Sequence, residues 1–481
     1  MAVFIPVAFF PGTTGKLYQQ FALTIAFSIA LSTFNAITLS PALAAILLRP
    51  HPDTSRGWFF DRFNALVDQT RRGYQRSLQI LVRKGSWVIG LFLLTLGLTG
   101  WLYLKVPTAF LPEEDQGYFI TLVQAPEGVS LNYTSQVMAK VEQQILRQPE
   151  VVGTFAVGGF SFGGGSANNG IIFTTLKDWK DRKQANQSAQ AIIGSLFPIF
   201  SSMPEARIIP VNPPAIQGLG SVGGFEFQLQ DRQGSGDLGS LVQSMGAMIQ
   251  QGNQTPGLTR VFSTFAANSP QLLVQVDRNK AEALGVSVND IFSTLQTQMG
   301  SRYVNDFELD RRTYRVYVQA DQQFRANPAD VGQLQVRSRT GQMIPLSNLV
   351  TLTPTTGAQT INHFNLFRSI AVTGSASPGF SSGQAIQTME KLAARVLPPS
   401  QGYEWSGSSL EELTAGRQAP LIFGLGILFV FLVLAAQYES FIDPIIILLS
   451  VPLAILGALL AVTGRGLAND VYCQIGLVML I

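Results

Sequence analysis

The sequence predicts an α+β membrane protein: a bundle of transmembrane helices carrying one large extramembrane region of ferredoxin-like, split β-α-β subdomains with a β-rich insertion. Three observations predict it. Apolar residues gather in runs of membrane-spanning length, and only 13% of residues are charged, with a mean hydropathy of +0.23; soluble domains carry about a quarter charged. One long stretch, Lys105–Ala419, breaks this pattern and has the composition of a folded soluble region. Inside it, period-2 alternation and helical periodicity follow one another as repeated strand–helix–strand units.

A helix needs about 20 apolar residues to cross the hydrocarbon. Phe21–Leu48 is an uncharged run of that length, within a helix expected over 17–48. Trp87–Leu104 is a second, Pro420–Ala436 (420–437 with its flank) a third, and Phe441–Val462 a fourth, opened by Asp443 and Pro444. Val471–Ile481 begins a fifth, and Met1–Phe10 reads as the end of another. Half-spans cannot satisfy the bilayer alone, so the expectation is a piece of a longer protein. The opening residues lack the basic leader and cleavage site of a signal peptide. Residues 49–86 form a basic loop in which Arg49, Arg56, Arg62, Arg71, Arg72, Arg76, Arg83 and Lys84 outnumber Asp53, Asp61 and Asp68. The positive-inside rule places this loop in the cytoplasm and Lys105–Ala419 outside. Within it Trp58, Phe59, Phe60, Phe63, Leu66 and Val67 alternate with charges, as in an amphipathic helix lying on membrane lipid.

In the external stretch, Gly117–Gln124 alternates as a strand, and Ser130 opens a helix through Arg147 with Val137, Val141, Ile145 and Leu146 on one side. Val151–Val157 and Gly170–Leu176 are strands; Gln187–Phe197 is a helix expected to end before Pro198. Phe225–Leu229, Leu258–Phe262 and Leu272–Val276 are strands, interleaved with helices over Leu238–Gln250, Lys280–Leu284 and Val288–Met299. These give a first subdomain over 105–234 and a second over 235–325 and 365–419, completed by helix Gly383–Val396 and strand Tyr403–Trp405. The turn-rich residues 326–364 form the β-rich insertion.

The most informative segment runs from Val157 to Phe173, Val-Gly-Gly-Phe-Ser-Phe-Gly-Gly-Gly-Ser-Ala-Asn-Asn-Gly-Ile-Ile-Phe. Glycine takes both signs of φ, so Gly158, Gly159, Gly163, Gly164 and Gly165 make this loop pliable. Phe160 and Phe162 each gain roughly 1.5–3 kcal/mol when an apolar partner covers them. A hinge studded with phenylalanine suits guests of unlike shape, because an aromatic face offers area without fixed hydrogen-bond geometry. Phe225 and Phe227, at i and i+2, share one face of their strand.

Other classes of function are disfavoured. A net charge of +3 gives no argument for nucleic acid, and the glycine run lacks the Gly-Lys-Ser/Thr of a phosphate loop. His51, His363 and Cys473 are too few for a His/Cys metal site, so no metal or cofactor is expected. No nucleophile–base pair stands out, so no catalytic residue is assigned and an enzyme is the weakest reading. Glu113, Glu114 and Asp115 form an acidic cluster beside the second span, serving either to attract cations or to end a helix in headgroup water.

Several blocks occurring in order carry a resemblance over essentially the whole chain. They are Phe21–Leu48 with its ending Leu-Ser-Pro-Ala-Leu-Ala-Ala, Phe110-Leu-Pro-Glu-Glu-Asp-Gln-Gly117, Phe155–Trp179 closing on Leu-Lys-Asp-Trp, Ala281–Asp306, Leu434–Ala461 and Leu467–Gly476. Together the chain resembles a resistance-nodulation-division (RND) transporter of the hydrophobe/amphiphile efflux type. The resemblance implies a proton-driven, inner-membrane exporter of lipophilic small molecules, working as a homotrimer with a periplasmic adaptor protein and an outer-membrane channel. It implies a substrate pocket lined by Phe155, Val157, Phe160, Phe162 and Phe173, with the glycine loop as the gate between an access pocket and a deeper one. Phe225, Phe227, Leu229 and Arg325 would line the access pocket, 326–364 would be a docking region, and Leu410–Gln418 would switch between coil and helix. Relatives carry a cation in the gate loop where this chain has Gly165 or its neighbours. The family's intramembrane aspartates and lysine match nothing in these spans, so the chain alone is expected to be inactive. Two alternatives stand beside this: a heavy-metal exporter of the same superfamily, which would need methionine ligands, and a non-transporting, membrane-anchored binding or assembly module.

Overall fold

The computed structural model describes residues 12–48, 58–112, 114–234 and 237–480. Met1–Phe10, His51 and Glu113, singled out above, lie outside the described residues. The chain begins with helices α1 (Gly12–Leu47), α2 (Trp58–Arg83) and α3 (Gly85–Lys105). The extramembrane region follows as β1 (Tyr118–Gln124), α4 (Leu131–Ile145), β2 (Val151–Gly158), β3 (Asn169–Leu176), α5 (Ala189–Ser201), β4 (Arg207–Val211), β5 (Phe225–Asp231), α6 (Leu238–Gln254) and β6 (Leu258–Phe262). It continues with β7 (Ser269–Val276), α7 (Arg278–Ala283), α8 (Val288–Gly300), β8 (Arg302–Leu309), β9 (Arg312–Val318), α9 (Pro328–Gln333), β10 (Gln335–Arg337), β11 (Met343–Pro345) and β12 (Val350–Gly357). Then come β13 (Asn362–Phe364), β14 (Phe367–Ala376), α10 (Ser382–Val396) and β15 (Gln401–Ser406), before α11 (Gly407–Tyr438), α12 (Ile442–Leu448), α13 (Val451–Gly464) and α14 (Val471–Met479).

Among the described residues, four helical stretches are long and apolar enough to cross a membrane: Gly15–Leu47, Gly85–Lys105, Gly407–Tyr438 and Ile442–Gly464. Their surfaces are greasy rather than buried, with Phe27, Phe34, Leu94 and Ile446 all exposed, as suits helices solvated by lipid. The last stretch bends between α12 and α13, where Pro452 has no N–H to continue the ladder. Against it packs α3, through Leu102 and Val106 on Leu456 and Leu459. Between the first two spans, Trp58–Arg83 form the amphipathic helix α2, with no buried residue.

In the first sheet the strand order is β2-β3-β1-β4, all neighbours antiparallel. Each helix therefore crosses over one intervening strand. Helices α4 and α5 cover a single face, burying Phe119, Val123, Val141, Ile172, Leu196 and Phe200. Their starts are capped as the sequence suggests: Ser130 Oγ accepts the Tyr133 N–H, and Ser188 Oγ that of Ala191. The second sheet repeats the arrangement, with β14 between β5 and an edge shared by β6 and β13, and β15 on the far side of β5. Helices α6 and α10 cover one face, over Phe227, Leu229, Met248, Ile370 and Met389.

Three boundaries differ from the sequence reading. Strand β5 hydrogen-bonds to β14 and β15, so the second subdomain begins before Phe225 and the first does not extend to 234. Strand β7 pairs along its length with β12, so the insertion reaches from Ser269 to Gly357 rather than over 326–364. It takes in α7 and α8, whose Ala281 and Ile291 pack on Val336, Ile344 and Leu349; local periodicity places these helices but says nothing of which strand pairs beneath them. Helix α5 also runs through Pro198, where the ring costs one hydrogen bond near the helix end instead of breaking it.

The acidic cluster resolves into a clamp. Arg182, its side chain only 1% exposed, meets Asp115 through two bonds, Nη1 to Oδ2 at 2.7 Å and Nη2 to Oδ1 at 3.1 Å. Asp115 also accepts the N–H of Ala189 at the start of α5 (2.8 Å) and of Gly117 (2.9 Å). Burial alone would raise its pKa; the Arg182 fork and the two N–H groups outweigh it and bring it to about 2. Asp115 thus ties the exit from α3 to the first subdomain and is not a free lure for cations. Asp115→Ala, which strands a buried guanidinium, is expected to destabilise the extramembrane region by roughly 3 kcal/mol in denaturant melts. Because the folded pKa lies below the unfolded value, the wild-type contribution is full above about pH 4 and lost as pH falls through about 2.

Candidate functional site

The pleat decides which aromatics are free. In β2 and β3, Phe155 lies opposite Phe173 and Val157 opposite Ile171, on the sheet face away from α4 and α5. Phe155 is 66% exposed, with its ring 6.3 Å from that of Phe173. Phe173 and Val157 are half-buried, and Phe173 packs toward Ile120, Ile209 and Phe262. The stripe runs up to the turn that joins the two strands.

That turn is anchored at both ends and open at its tip. Gly159 N–H donates to Asn169 O at 2.7 Å, and the Ser161–Gly164 pair closes with mutual backbone bonds of 3.1 Å. Gly159 and Gly164 hold φ of +79° and +127°, which side chains with a Cβ rarely adopt. Gly158, Gly163 and Gly165 are exposed, but a Cβ at Gly158 would stand 3.3 Å from Leu131 Cδ1 and one at Gly165 3.4 Å from the Gly159 carbonyl. Behind the tip, buried Asn168 donates to Glu127 Oε1 (2.9 Å) and the Ala125 carbonyl (3.2 Å), and Thr134 Oγ1 donates to Ala167 O (2.7 Å). Phe160 and Phe162 project from the tip at 45% and 44% exposure, edge to face with centroids 6.4 Å apart.

Phe162 overhangs a cleft of about 310 Å³ between the two sheets, with Leu122, Ile171, Val222, Phe262 and Phe364 among its apolar walls. Glu226, Gln228, Asn362 and His363 add polar groups. The sheets are joined across it by Gln124 Nε2 to Thr264 O and Arg207 Nη1 to Ser263 O, each 2.9 Å. Burial raises the pKa of Glu226, against the bonds from Ser406 and Gln228 that lower it. A volume at the small end of ligand pockets, with apolar patches set among many polar side chains, suits a compact amphiphilic guest.

Not all of the sequence-derived residues converge here. Phe225, Phe227 and Leu229 point the other way, into the core under α6 and α10, at 3%, 0% and 0% exposure. Phe227 stacks on Tyr403 (4.8 Å) and meets Trp405 edge-on. Their shared face was legible in the i, i+2 spacing; which face it was depended on helices far along the chain. The alternate residues Glu226 and Gln228 line the cleft instead, and with Phe262 and His363 they are the ones the sequence reading missed. Arg325 is exposed beyond the insertion's hairpin, its Nε donating to Ala320 O (2.9 Å), away from the cleft. Leu410–Gln418 lies within the continuous helix α11.

The two environments separate by stability. Phe227→Ala is expected to cost about 3–5 kcal/mol in chemical denaturation, the range for a buried ring, while Phe162→Ala costs less than about 1 kcal/mol; equal losses would contradict the assignment of core and cleft.

With this geometry in hand, the comparison with known proteins is informative. The family model described as AcrB/AcrD/AcrF family matches residues 1–481. Among similar proteins, "Multidrug export protein AcrF" of Escherichia coli is 40% identical over 99% of this chain and 46% of its own length. "Multidrug resistance protein MdtF" of the same organism is 39% identical over the same shares. "Toluene efflux pump membrane transporter TtgB" of Pseudomonas putida is 38% identical, again over 99% and 46%. The chain thus spans about half the length of the curated relatives it matches. Spans, paired sheets and an aromatic cleft in that order, with a family match along the full sequence, place the chain in the AcrB/AcrD/AcrF family of RND efflux transporters.

Proposed function

We propose that this chain supplies part of the substrate path of an RND pump that exports lipophilic and amphiphilic compounds. The carrying observation is Phe162, held 44% exposed on a glycine turn at the mouth of a cleft between two sheets. Phe155, Phe160, Val157 and Phe173 extend the apolar surface away from that mouth, so a guest can slide along it while the tip adjusts. Both sheets read as ferredoxin-like subdomains of a periplasmic porter region, and the insertion around α7–α9 as the docking part. We assign the membrane to the cell's inner membrane, with α2 on its cytoplasmic face against lipid.

Proton-driven transport, a homotrimer, a periplasmic adaptor and an outer-membrane channel belong to the same proposal and rest on family membership. Among the described residues, the four spans carry no carboxylate paired with a lysine, so we assign the proton relay to other parts of the whole protein and expect this chain alone not to pump. The aromatic rings at the mouth supply area without fixed hydrogen-bond geometry, which favours breadth of cargo, while the polar groups inside suit amphiphiles.

The test is Phe162→Ala in the complete protein. Loss of one covered ring is worth roughly 1.5–3 kcal/mol, so lipophilic dyes are expected to bind at least about tenfold more weakly, and cells to become susceptible to several chemically unrelated lipophilic drugs. Undiminished binding and efflux of every compound tried would remove the proposal.

A further inference from the structure

At the head of α11 the protein buries a carboxylate, one oxygen of which completes no hydrogen bond. The helix has 32 residues, about 48 Å at 1.5 Å per residue, against roughly 30 Å of hydrocarbon. Its first turns therefore stand in the extramembrane region. There Ser409 Oγ accepts the Glu226 N–H (3.3 Å), and Ser408 Oγ donates to Gly224 O (3.1 Å). Glu412, next along, faces a cavity with about 90 Å³ of free space, too small for a drug-sized guest, walled by Phe110, Glu114, Phe225, Ser382 and Ser408. Glu412 Oε1 and Ser382 Oγ are both buried and neither completes a well-formed hydrogen bond, although the Ser382 hydroxyl and the Phe110 N–H lie close enough to the carboxylate to favour its ionised form. Among the described residues, no lysine, arginine or histidine lines this cavity.

The surrounding joint is tight. A Cβ at Gly383, in the first turn of α10, would stand 2.4 Å from Thr108 Oγ1, 2.8 Å from Thr108 O and 3.0 Å from Glu412 Oε1. The Gly383 N–H donates to Thr108 O at 3.3 Å. On either side of Thr108, Asn469 N–H donates to Pro107 O (2.8 Å) and Ala109 N–H to Asn469 O (3.3 Å), just ahead of α14. Glu412 therefore sits where the segment after α3, the start of α10, the head of α11 and the approach to α14 come together.

The charges near this point do not neutralise it. Glu114 shares the cavity and adds repulsion, and Asp115 is engaged by Arg182. On α11 itself, Glu411 accepts from the Thr13 hydroxyl (3.0 Å), and Arg417 Nε donates to Leu413 O (3.3 Å). Asp470 caps α14 through the Cys473 N–H, and Glu226 on β5 is bonded by Gln228. The first turn of α10 brings no charged side chain. Burial without a counter-ion favours the neutral acid and pushes the Glu412 carboxyl up to about 7, with the nearby Ser382 hydroxyl and Phe110 N–H opposing the rise.

We propose that Glu412 is a proton-binding site, separate from the aromatic cleft, whose protonation clasps the head of α11 to Thr108 and the start of α10. Protonated, the carboxyl can donate to an oxygen of the joint; ionised, it draws water into the cavity and loosens it. The sign follows from a folded pKa above the unfolded one: the clasp is complete below about pH 4.5 and is lost as pH rises through about 7. The inference concerns proton binding at the joint and stands whatever cargo the cleft takes.

The test uses the whole chain in lipid nanodiscs with carbon-13-labelled glutamate. Infrared difference spectra between about pH 5.5 and about pH 8.5 should show a protonated-carboxyl band titrating near neutrality, and Glu412→Gln should abolish it. In parallel, amide exchange over 407–419, corrected for intrinsic rates, should speed up about tenfold or more in the wild type across that range, and not at all in Glu412→Gln. Should that variant misfold, Ser382→Ala should move the band's midpoint upward, because the hydroxyl favours the ionised form. A missing band, a midpoint unmoved by Ser382→Ala, or an unchanged pH response in Glu412→Gln overturns the proposal.

Discussion

Everything at the cleft depends on the two-residue period of a β-strand. Helices cover only one face of each sheet, so each sheet sends alternate side chains into a helix-covered core and the rest toward its neighbour. In the first sheet this sends Phe119 and Ile172 under α4 and α5 and leaves Ile171 and Phe173 on the open face. In the second it buries Phe227 and Leu229 and turns Glu226 and Gln228 outward. The cleft is the space between two half-covered sheets. A one-residue slip of β2 against β3 would carry Phe155 and Val157 to the helix face and erase the stripe.

The glycine turn solves a different problem. Aromatic rings at the mouth of a cleft are useful only if they can yield, yet a wholly slack loop would carry an entropic cost on binding. The chain meets both demands by pinning the turn's base through Asn168 and Thr134 while keeping the tip at Gly163–Gly165 free of large neighbouring side chains. Anchoring recurs at the level of domains. Arg182 and Asp115 fix the segment leaving α3 to the first subdomain, and Gly383 admits Thr108 close to α10, so both subdomains are joined to the membrane helices by short, dense contacts.

Much of this was legible in the sequence, for identifiable reasons. Apolar runs located the spans, because hydrocarbon thickness allows few alternatives. Ser130 and the alternation of Gly117–Gln124 located local elements, because capping and pleat are local. The seventeen residues from Val157 to Phe173 announced a glycine-rich turn with exposed aromatic rings by composition alone. What escaped was non-local. Pairing of β7 with β12, across an intervening hairpin, decides where the insertion begins. Partners of β5 decide the subdomain boundary, and the direction in which Phe225 and Phe227 point depends on α6 and α10. Asp115 looked like one of three surface acids because its partner, Arg182, is distant in sequence.

The most direct test of the account places a fluorinated phenylalanine singly at Phe162, Phe160 or Phe227 in the intact protein and records fluorine NMR during titration with a lipophilic dye. The account predicts that the signals at Phe162 and Phe160 shift and saturate together with dye binding, while that at Phe227, sealed under α6 and α10, stays where it is. A saturating dye that moves the Phe227 signal, or leaves Phe162 unmoved, would contradict it.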